Sequence, residues 1–172
     1  MPKKITTKPQ PLSAGFLAKS IAIATLTLSS FTAQAYDAFN GTLDRTETIS
    51  GIDANNNGIR DDIEAFIVQR YAEPKERAAM MQFARSVQAS LLVDKFDQSA
   101  LQALSLKDSY AVNCVFNVLN PERNADNGLP EIAAREIVSL TTNTKARSKA
   151  YLMYSYALSG FVLTFPNGNT CD

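Results

Sequence analysis

A twelve-residue segment, residues 53–64, constrains the fold more than any other part of this 172-residue chain. Oxygen-bearing side chains recur at its alternate positions, and Gly58 occupies the sixth. Positions 1, 3, 5, 9 and 12 are Asp53, Asn55, Asn57, Asp61 and Glu64. This spacing requires a tight turn that directs alternate side chains inward, and Gly58 relieves strain where the backbone bends most sharply. The segment therefore predicts a compact loop that leads directly into a helix.

The chemistry of these side chains indicates a hard divalent cation. Calcium takes six to eight oxygen ligands at about 2.3–2.6 Å. The predicted ligands are five side chains and one backbone carbonyl, namely Asp53, Asn55, Asn57, the carbonyl of Ile59, Asp61 and Glu64. Because only three of them are carboxylates, we expect a modest affinity, with Kd about 10⁻⁴–10⁻³ M as in extracellular sites. The alternative is a polar turn whose acids merely complement the positive end of the following helix.

The loop resembles those of the EF-hand superfamily. It is more similar to the bacterial and thrombospondin type 3 style of loop, in which an apolar residue follows the glycine and an acid comes three residues after it, as in residues 58–61. The resemblance covers about twelve residues and implies a calcium site. Two features depart from the EF-hand pattern: Arg60 stands at position 8, where an apolar residue is usual, and the preceding residues do not predict an entry helix. The single loop also weakens a resemblance to dockerins, whose pattern needs two.

A second resemblance extends beyond the loop. Residues 55–64, followed by residues 143–147 and by Ala150-Tyr151, look like a group of uncharacterised exported proteins of Gram-negative bacteria. That resemblance implies export and carries no established activity.

Residues 1–35 have the pattern of a signal peptide. A lysine-rich lead is followed by an apolar run from Ile21 to about Phe31 and by the small-x-small motif Ala33-Gln34-Ala35. The apolar run is shorter than the roughly 20 residues that span a bilayer. We therefore expect cleavage after Ala35 and a periplasmic or secreted protein without a membrane span. Residues 36–52 are predicted to be an irregular lead-in, and residues 53–172 a helical domain.

The composition of the mature chain limits its partners and its chemistry. Four of the 17 basic residues are leader lysines, which leaves 13 basic against 17 acidic residues and a net charge of −4. A nucleic-acid binder would be expected to have the opposite charge. The chain has no histidine, which removes the usual neutral-pH general base and Ser-His-Asp or Cys-His arrangements. No recognisable catalytic constellation remains, and we predict no enzymatic activity.

Cys114 and Cys171 are the two cysteines of the chain, and both follow the leader. Export favours a disulfide between them. Their separation of 57 residues would close a long loop, for which the chain-entropy model gives a stabilisation of roughly 4 kcal/mol. The alternative is a pair of buried free thiols.

The apolar periodicity predicts an all-α fold, a bundle of four or five helices with a calcium loop before the first helix and a disulfide-tethered tail. Pro74 and Pro130 are expected to open helices two and four, and Asn143 or Thr144 to cap helix five. Helix five is apolar on nearly all sides and is therefore predicted to be the central helix. A second acidic stretch, residues 122–128, has its glycine out of register with the ligands and is interpreted as a surface loop.

The tyrosines of helix five allow two interpretations. Tyr151 and Tyr154 have core spacing, whereas Tyr156 and the nearby lysines suit a protein interface in the cell envelope. Arg147 is predicted to pair with an acid near helix one or four. The favoured function is a calcium-stabilised structural or protein-binding module, and the alternative is a small periplasmic hydrolase that uses carboxylates.

Overall fold

A computed structural model of the chain describes residues 41–120, 128–162 and 164–172. The predicted signal peptide and the start of the lead-in lie outside these residues, as does the stretch 122–127. Residues 41–52 are irregular, as predicted.

The described residues form five α-helices and no strand, which confirms the all-α prediction. The helices are α1 (Asp61–Arg70), α2 (Pro74–Leu92), α3 (Gln98–Leu119), α4 (Leu129–Thr141) and α5 (Lys145–Ala157). None of them is long and apolar enough to cross a membrane, within the part of the chain described here.

Local signals in the sequence explain where these helices begin. Pro74 and Pro130 lie in the first turns of α2 and α4, where a missing backbone N–H costs nothing. Asp97 caps α3 by accepting the N–H of Ala100 at 3.0 Å. Thr144, rather than Asn143, caps α5, and it accepts the N–H of Arg147.

Helix α2 occupies the centre of the bundle and contacts all four of the other helices. The prediction that helix five is central was wrong. Only Arg147, Ala150 and Tyr154 of α5 are buried, whereas Leu152 is 55% exposed and Tyr156 is 75% exposed. Helix α5 packs mainly against α2, so its apolar residues on the far side have no neighbouring helix to cover them.

The main core lies between α1, α2, α3 and α4. The apolar stripe predicted for helix one is buried there, and its members are Ile59, Ile63, Phe66, Ile67 and Tyr71. A smaller cluster under α5 joins Tyr154 to Leu101 and Leu104 of α3. The predicted calcium loop therefore precedes a helix whose inner face is packed into the core, which gives the loop a rigid base.

Candidate metal centre

The predicted calcium loop is a tight turn that ends at the start of α1. Asn56 and Gly58 adopt left-handed backbone conformations, with φ of 57° and 84°. Asparagine tolerates this region better than most residues, and glycine adopts it without a Cβ penalty. Ile59, at position 7, is buried in the core. The loop thus bends sharply at its centre and is anchored at its end by an apolar side chain.

Two of the predicted carboxylate ligands point back into the loop. Asp53 accepts the backbone N–H groups of Asn57 at 3.1 Å and of Gly58 at 2.9 Å. Asp61 accepts the N–H of Ala54 at 3.0 Å. These bonds place the side chains of loop positions 1 and 9 on the inner side of the turn.

The third carboxylate meets the two predicted amide ligands. The side-chain amide of Asn55 donates to Glu64 at 2.9 Å, and the amide of Asn57 donates to the other oxygen of the same carboxylate. The structure thus brings positions 3, 5 and 12 together, as the loop pattern predicts. The oxygens of the same amides are also directed into the loop, since that of Asn55 accepts the N–H of Asn57 at 3.1 Å and that of Asn57 accepts the N–H of Ile59 at 2.9 Å.

The donor set suits calcium better than a transition metal. No three His, Cys, Asp or Glu side chains within the described ranges come together to hold a metal ion. The loop instead combines carboxylates with amide oxygens and a backbone carbonyl, and an all-oxygen set is what hard cations such as calcium prefer. The residues present therefore fit calcium by their chemistry.

Arg60, at loop position 8, is fully buried and forms an ion pair with helix α1. Its Nε and Nη2 atoms each donate to the carboxylate of Asp62 at 2.7 Å. The guanidinium also donates to the carbonyls of Leu140 at 3.2 Å and Thr141 at 3.1 Å. These carbonyls lie at the C-terminal end of α4, where the helix dipole favours a cation. Arg60 therefore links the end of the loop to α4.

Arg147 is also fully buried, and its partner acid is not the predicted one. The sequence interpretation placed that acid near helix one or four, whereas Arg147 pairs with Asp44 of the lead-in at 3.3 Å. It also donates to the carbonyls of Asp44, Thr48 and Ile49. The lead-in has no regular secondary structure, so its carbonyl groups have no helix or strand partners. The guanidinium supplies these carbonyls with charged hydrogen-bond donors.

Asn143 joins the two arginines. Its side-chain oxygen accepts from Arg147 at 2.8 Å and from Arg60 at 3.5 Å, and its amide donates to the carbonyl of Asp44 at 2.9 Å. The N–H of Asp44 donates to Asp62 at 2.8 Å. We call these five residues, Asp44, Arg60, Asp62, Asn143 and Arg147, the arginine network. It connects the lead-in, the loop, α4 and α5.

The charges of the network are reflected in its ionisation. Burial alone would raise the pKa of Asp44, but hydrogen bonds from Thr46 and Ile52 and the charge of Arg147 outweigh it and lower the pKa to about 2. Burial lowers the pKa of the Arg147 guanidinium, and the nearby charge of Arg60 lowers it further, while Asp44 acts in the opposite direction. The ion pairs thus compensate for two cations held side by side.

Gly51 allows the lead-in to pass against Arg60. Its φ is +69°, and a Cβ built there would lie 2.2 Å from the Cδ of Arg60 and 2.5 Å from a carboxylate oxygen of Asp44. Any other residue would therefore be strained and would also collide with the arginine network.

Helix α2 holds the other side of the loop. Arg85 donates through Nε to the carbonyl of Asn57 at 3.0 Å. Gln88, one turn later, donates to the carbonyl of Ser50 at 2.8 Å. The central helix of the bundle therefore supports the loop directly.

The opposite end of the chain is tethered covalently. Cys114 and Cys171 form the predicted disulfide, which joins α3 to the C-terminal tail. Asn113 donates to the carbonyl of Gly168 at 2.9 Å, and Thr170 donates to the carbonyl of Tyr110 at 2.7 Å. The tail therefore lies along α3 without adding a helix or strand of its own.

Asp108 of α3 has a partly buried carboxyl group that faces α5. It accepts the hydroxyl hydrogen of Tyr154. Ser86 lies beside it but donates to the carbonyl of Phe83, so one Asp108 oxygen has no hydrogen-bond partner. Burial raises the pKa of Asp108, although the hydrogen bond from Tyr154 partly opposes this. Neither the loop pattern nor the helical periodicity identified this group.

The arginine network was also only partly visible in the sequence. Arg60 departs from the EF-hand pattern at loop position 8, and the acid two residues later is a signal for their ion pair. Asp44 had no such signal, because it lies in a lead-in without periodicity.

Comparison with known proteins adds nothing to these assignments, since no protein-family model, curated protein or solved structure matches the chain.

Proposed function

We propose that this protein is an exported calcium-binding helical domain, a structural or protein-binding module of the cell envelope, in which the ion stabilises the loop before α1. The single observation that carries the calcium proposal is the convergence of Asn55, Asn57 and Glu64. Three side chains spaced along ten residues meet only because the backbone curls, and a simple polar turn needs no such meeting.

Calcium would stabilise the domain by mass action. It binds the folded loop and not the unfolded chain, so the stabilisation is RT ln(1 + [Ca²⁺]/Kd). With Kd about 10⁻⁴–10⁻³ M, we expect about 1.4–2.7 kcal/mol at about 10 mM calcium. Such a site suits the calcium concentrations outside the cytoplasm, and the role of the bound ion is structural.

The test is thermal and chemical unfolding of the mature chain with calcium, with magnesium and with chelator. Calcium should raise the free energy of unfolding by the stated amount, and magnesium should raise it less, because magnesium demands a tighter octahedral geometry. The double variant Asp53→Asn, Glu64→Gln should lose the calcium effect. Glu131→Gln, an exposed acid at the start of α4, is the matched control and should keep it. An unchanged Tm at millimolar calcium would refute the site.

The protein-binding part of the proposal is supported by the outer face of α5. This face carries Lys145, Lys149, Leu152, Met153 and Tyr156, all of them exposed. Residues 137–171 contain no acid, although the mature chain is acidic as a whole. A basic and apolar helix face fits a partner protein that offers an acidic, apolar surface.

Affinity capture of envelope proteins with the purified domain tests this surface. Replacing Tyr156 and Leu152 together by serine should abolish capture while the Tm stays within about 1 °C, because both side chains are mostly exposed. Capture that is equally strong with this variant would place the interface elsewhere. Repeating the experiment with chelator separates a structural ion from one that the partner requires.

A further inference from the structure

A groove runs along the surface between α2 and α3, and small side chains create it. Ala89 of α2 and Ala103 of α3 stand where longer residues would fill the space between the helices. Two neighbouring cavities make up the groove, about 530 Å³ toward the calcium loop and about 500 Å³ toward the C-terminal tail. They share four lining residues, Arg85, Ala89, Leu104 and Lys107. Each volume lies within the range of small-molecule sites.

Two cations stand at the middle of this α2–α3 groove. Arg85 comes from α2 and Lys107 from α3, and both line both cavities. Lys107 has no ion pair or hydrogen bond within the described ranges. Arg85 has a carboxylate partner, Asp172, only at 3.7 Å and in an exposed position. The middle of the groove therefore has positive charge that the protein itself barely compensates.

The two halves of the groove differ in polarity. The half toward the calcium loop is apolar on both helices, through Leu92 of α2, Val93 directly after it and Ala100 of α3. The other half contains Asp172, which would repel an anion. Gln88 lines the apolar half, is almost fully buried, and has a side-chain oxygen without a hydrogen-bond partner. A ligand with an anionic head and an apolar body fits this order of surfaces in one direction only.

We propose that the α2–α3 groove binds a single-chain anionic amphiphile, such as a fatty-acid carboxylate. The head group lies between Arg85 and Lys107, where it gains two charge-assisted hydrogen bonds. The aliphatic chain extends over Ala89 and Leu104 toward the calcium loop, where its burial supplies the hydrophobic part of the affinity.

Isothermal titration of the mature, disulfide-bonded protein with decanoate below its micelle concentration tests the proposal. Lys107→Gln should weaken binding about tenfold, because a hydrogen bond to a charged group contributes about 1.5–3 kcal/mol. Asp172→Asn should strengthen it about two- to fivefold by removing the competing anion. Ala103→Phe should abolish binding by filling the apolar half of the groove, and circular dichroism confirms that the exposed substitution leaves the helices intact.

Two controls make the result decisive. Lys149→Gln removes an exposed cation of α5 outside the groove and should leave decanoate binding unchanged. Decyltrimethylammonium has the same tail with a cationic head and should bind at least tenfold more weakly. Equal binding of the two probes, an unaltered affinity of Lys107→Gln, or no heat at millimolar decanoate would each overturn the proposal. If the protein binds phosphatidylglycerol vesicles and decanoate does not displace it from them, the proposal is likewise overturned, and the ligand is a membrane surface.

Discussion

The two irregular ends of this domain are held by opposite means. At the N-terminal end, the lead-in and loop are attached by the arginine network, which consists of buried charges and hydrogen bonds. At the C-terminal end, the tail is attached by a disulfide and by neutral hydrogen bonds to α3. A covalent tether acts mainly by restricting the unfolded chain, whereas an ionic network acts in the folded state. The N-terminal end should therefore respond to pH and calcium, and the C-terminal end to reductant.

The largest expected effect comes from removing the centre of the network. Arg147→Met should lower the free energy of unfolding by about 3–5 kcal/mol, because it leaves the buried carboxylate of Asp44 without its charged partner. Urea denaturation measures the change. Lys149→Met lies on the same helix but is exposed, and it should cost less than about 0.5 kcal/mol. Equal effects of the two variants would show that the network contributes nothing specific.

Removal of the disulfide should be nearly as costly and different in character. Replacing Cys114 and Cys171 by alanine should cost about 2–4 kcal/mol, since the unfolded chain regains the freedom of a long loop. The cost should be independent of calcium, because the bond joins α3 to the tail, whereas the loop is held by α2 and by the arginine network. A loss of calcium dependence in this variant would contradict the separation of the two tethers.

A smaller effect is expected from Gly51→Ala. Both the positive φ and the collision with Arg60 oppose the new methyl group, and together they should cost about 2–3 kcal/mol. Gly160 also has a positive φ, of 90°, but has open space around it. Gly160→Ala should therefore cost only about 1 kcal/mol, the part due to φ alone. Denaturation of both variants separates backbone strain from the packing of the network.

The smallest effect concerns pH. The raised pKa of Asp108 means that its contribution to stability is present below the unfolded pKa of about 3.9 and is lost as the pH rises through the folded value. Asp44 behaves oppositely, because its pKa is lowered: its contribution is present above the unfolded value and is lost as the pH falls toward about 2. Asp108→Asn should therefore raise stability at neutral pH, by about 1 kcal/mol for a buried acceptor without a partner.

Denaturation of the Asp108→Asn and Asp44→Asn variants between pH 3 and pH 8 checks these signs. Asparagine at 108 can still accept from Tyr154, so the hydrogen bond is retained while the charge is removed. Asp44→Asn should lower stability at pH 7 and lose much of the acid-induced destabilisation. A decrease in stability at neutral pH for Asp108→Asn would show that the carboxylate is needed there.

Local patterns predicted much of the fold. The apolar stripe of α1, the prolines that open α2 and α4 and the cap of α5 all involve residues within one or two turns of each other, so short-range spacing is sufficient. The disulfide was predicted because the chain has two cysteines, both after the predicted leader, and two cysteines have only one pairing. Within the predicted calcium loop, the approach of Asn55, Asn57 and Glu64 follows from a twelve-residue spacing.

The sequence-based predictions that were wrong concern contacts between distant parts of the chain. Helix α5 is apolar on most sides and was therefore expected at the centre of the bundle. The periodicity of a helix does not show how many other helices pack against it. The partner of Arg147 was misplaced because Asp44 lies 103 residues away in an irregular segment. Asp108 escaped notice since its burial is set by α5, whose position no local pattern indicates.

By itself, the sequence determined the helical class, the order of the helices, the disulfide and the spacing of oxygen-bearing side chains in the loop, because each depends on neighbouring residues or on simple counting. Only the tertiary structure decided that α2 is central, that Arg60 and Arg147 share one buried network with the lead-in, and that a cationic groove separates α2 from α3. These features depend on which surfaces meet after the chain has folded. The residues around one position do not show which distant residues will pack against it.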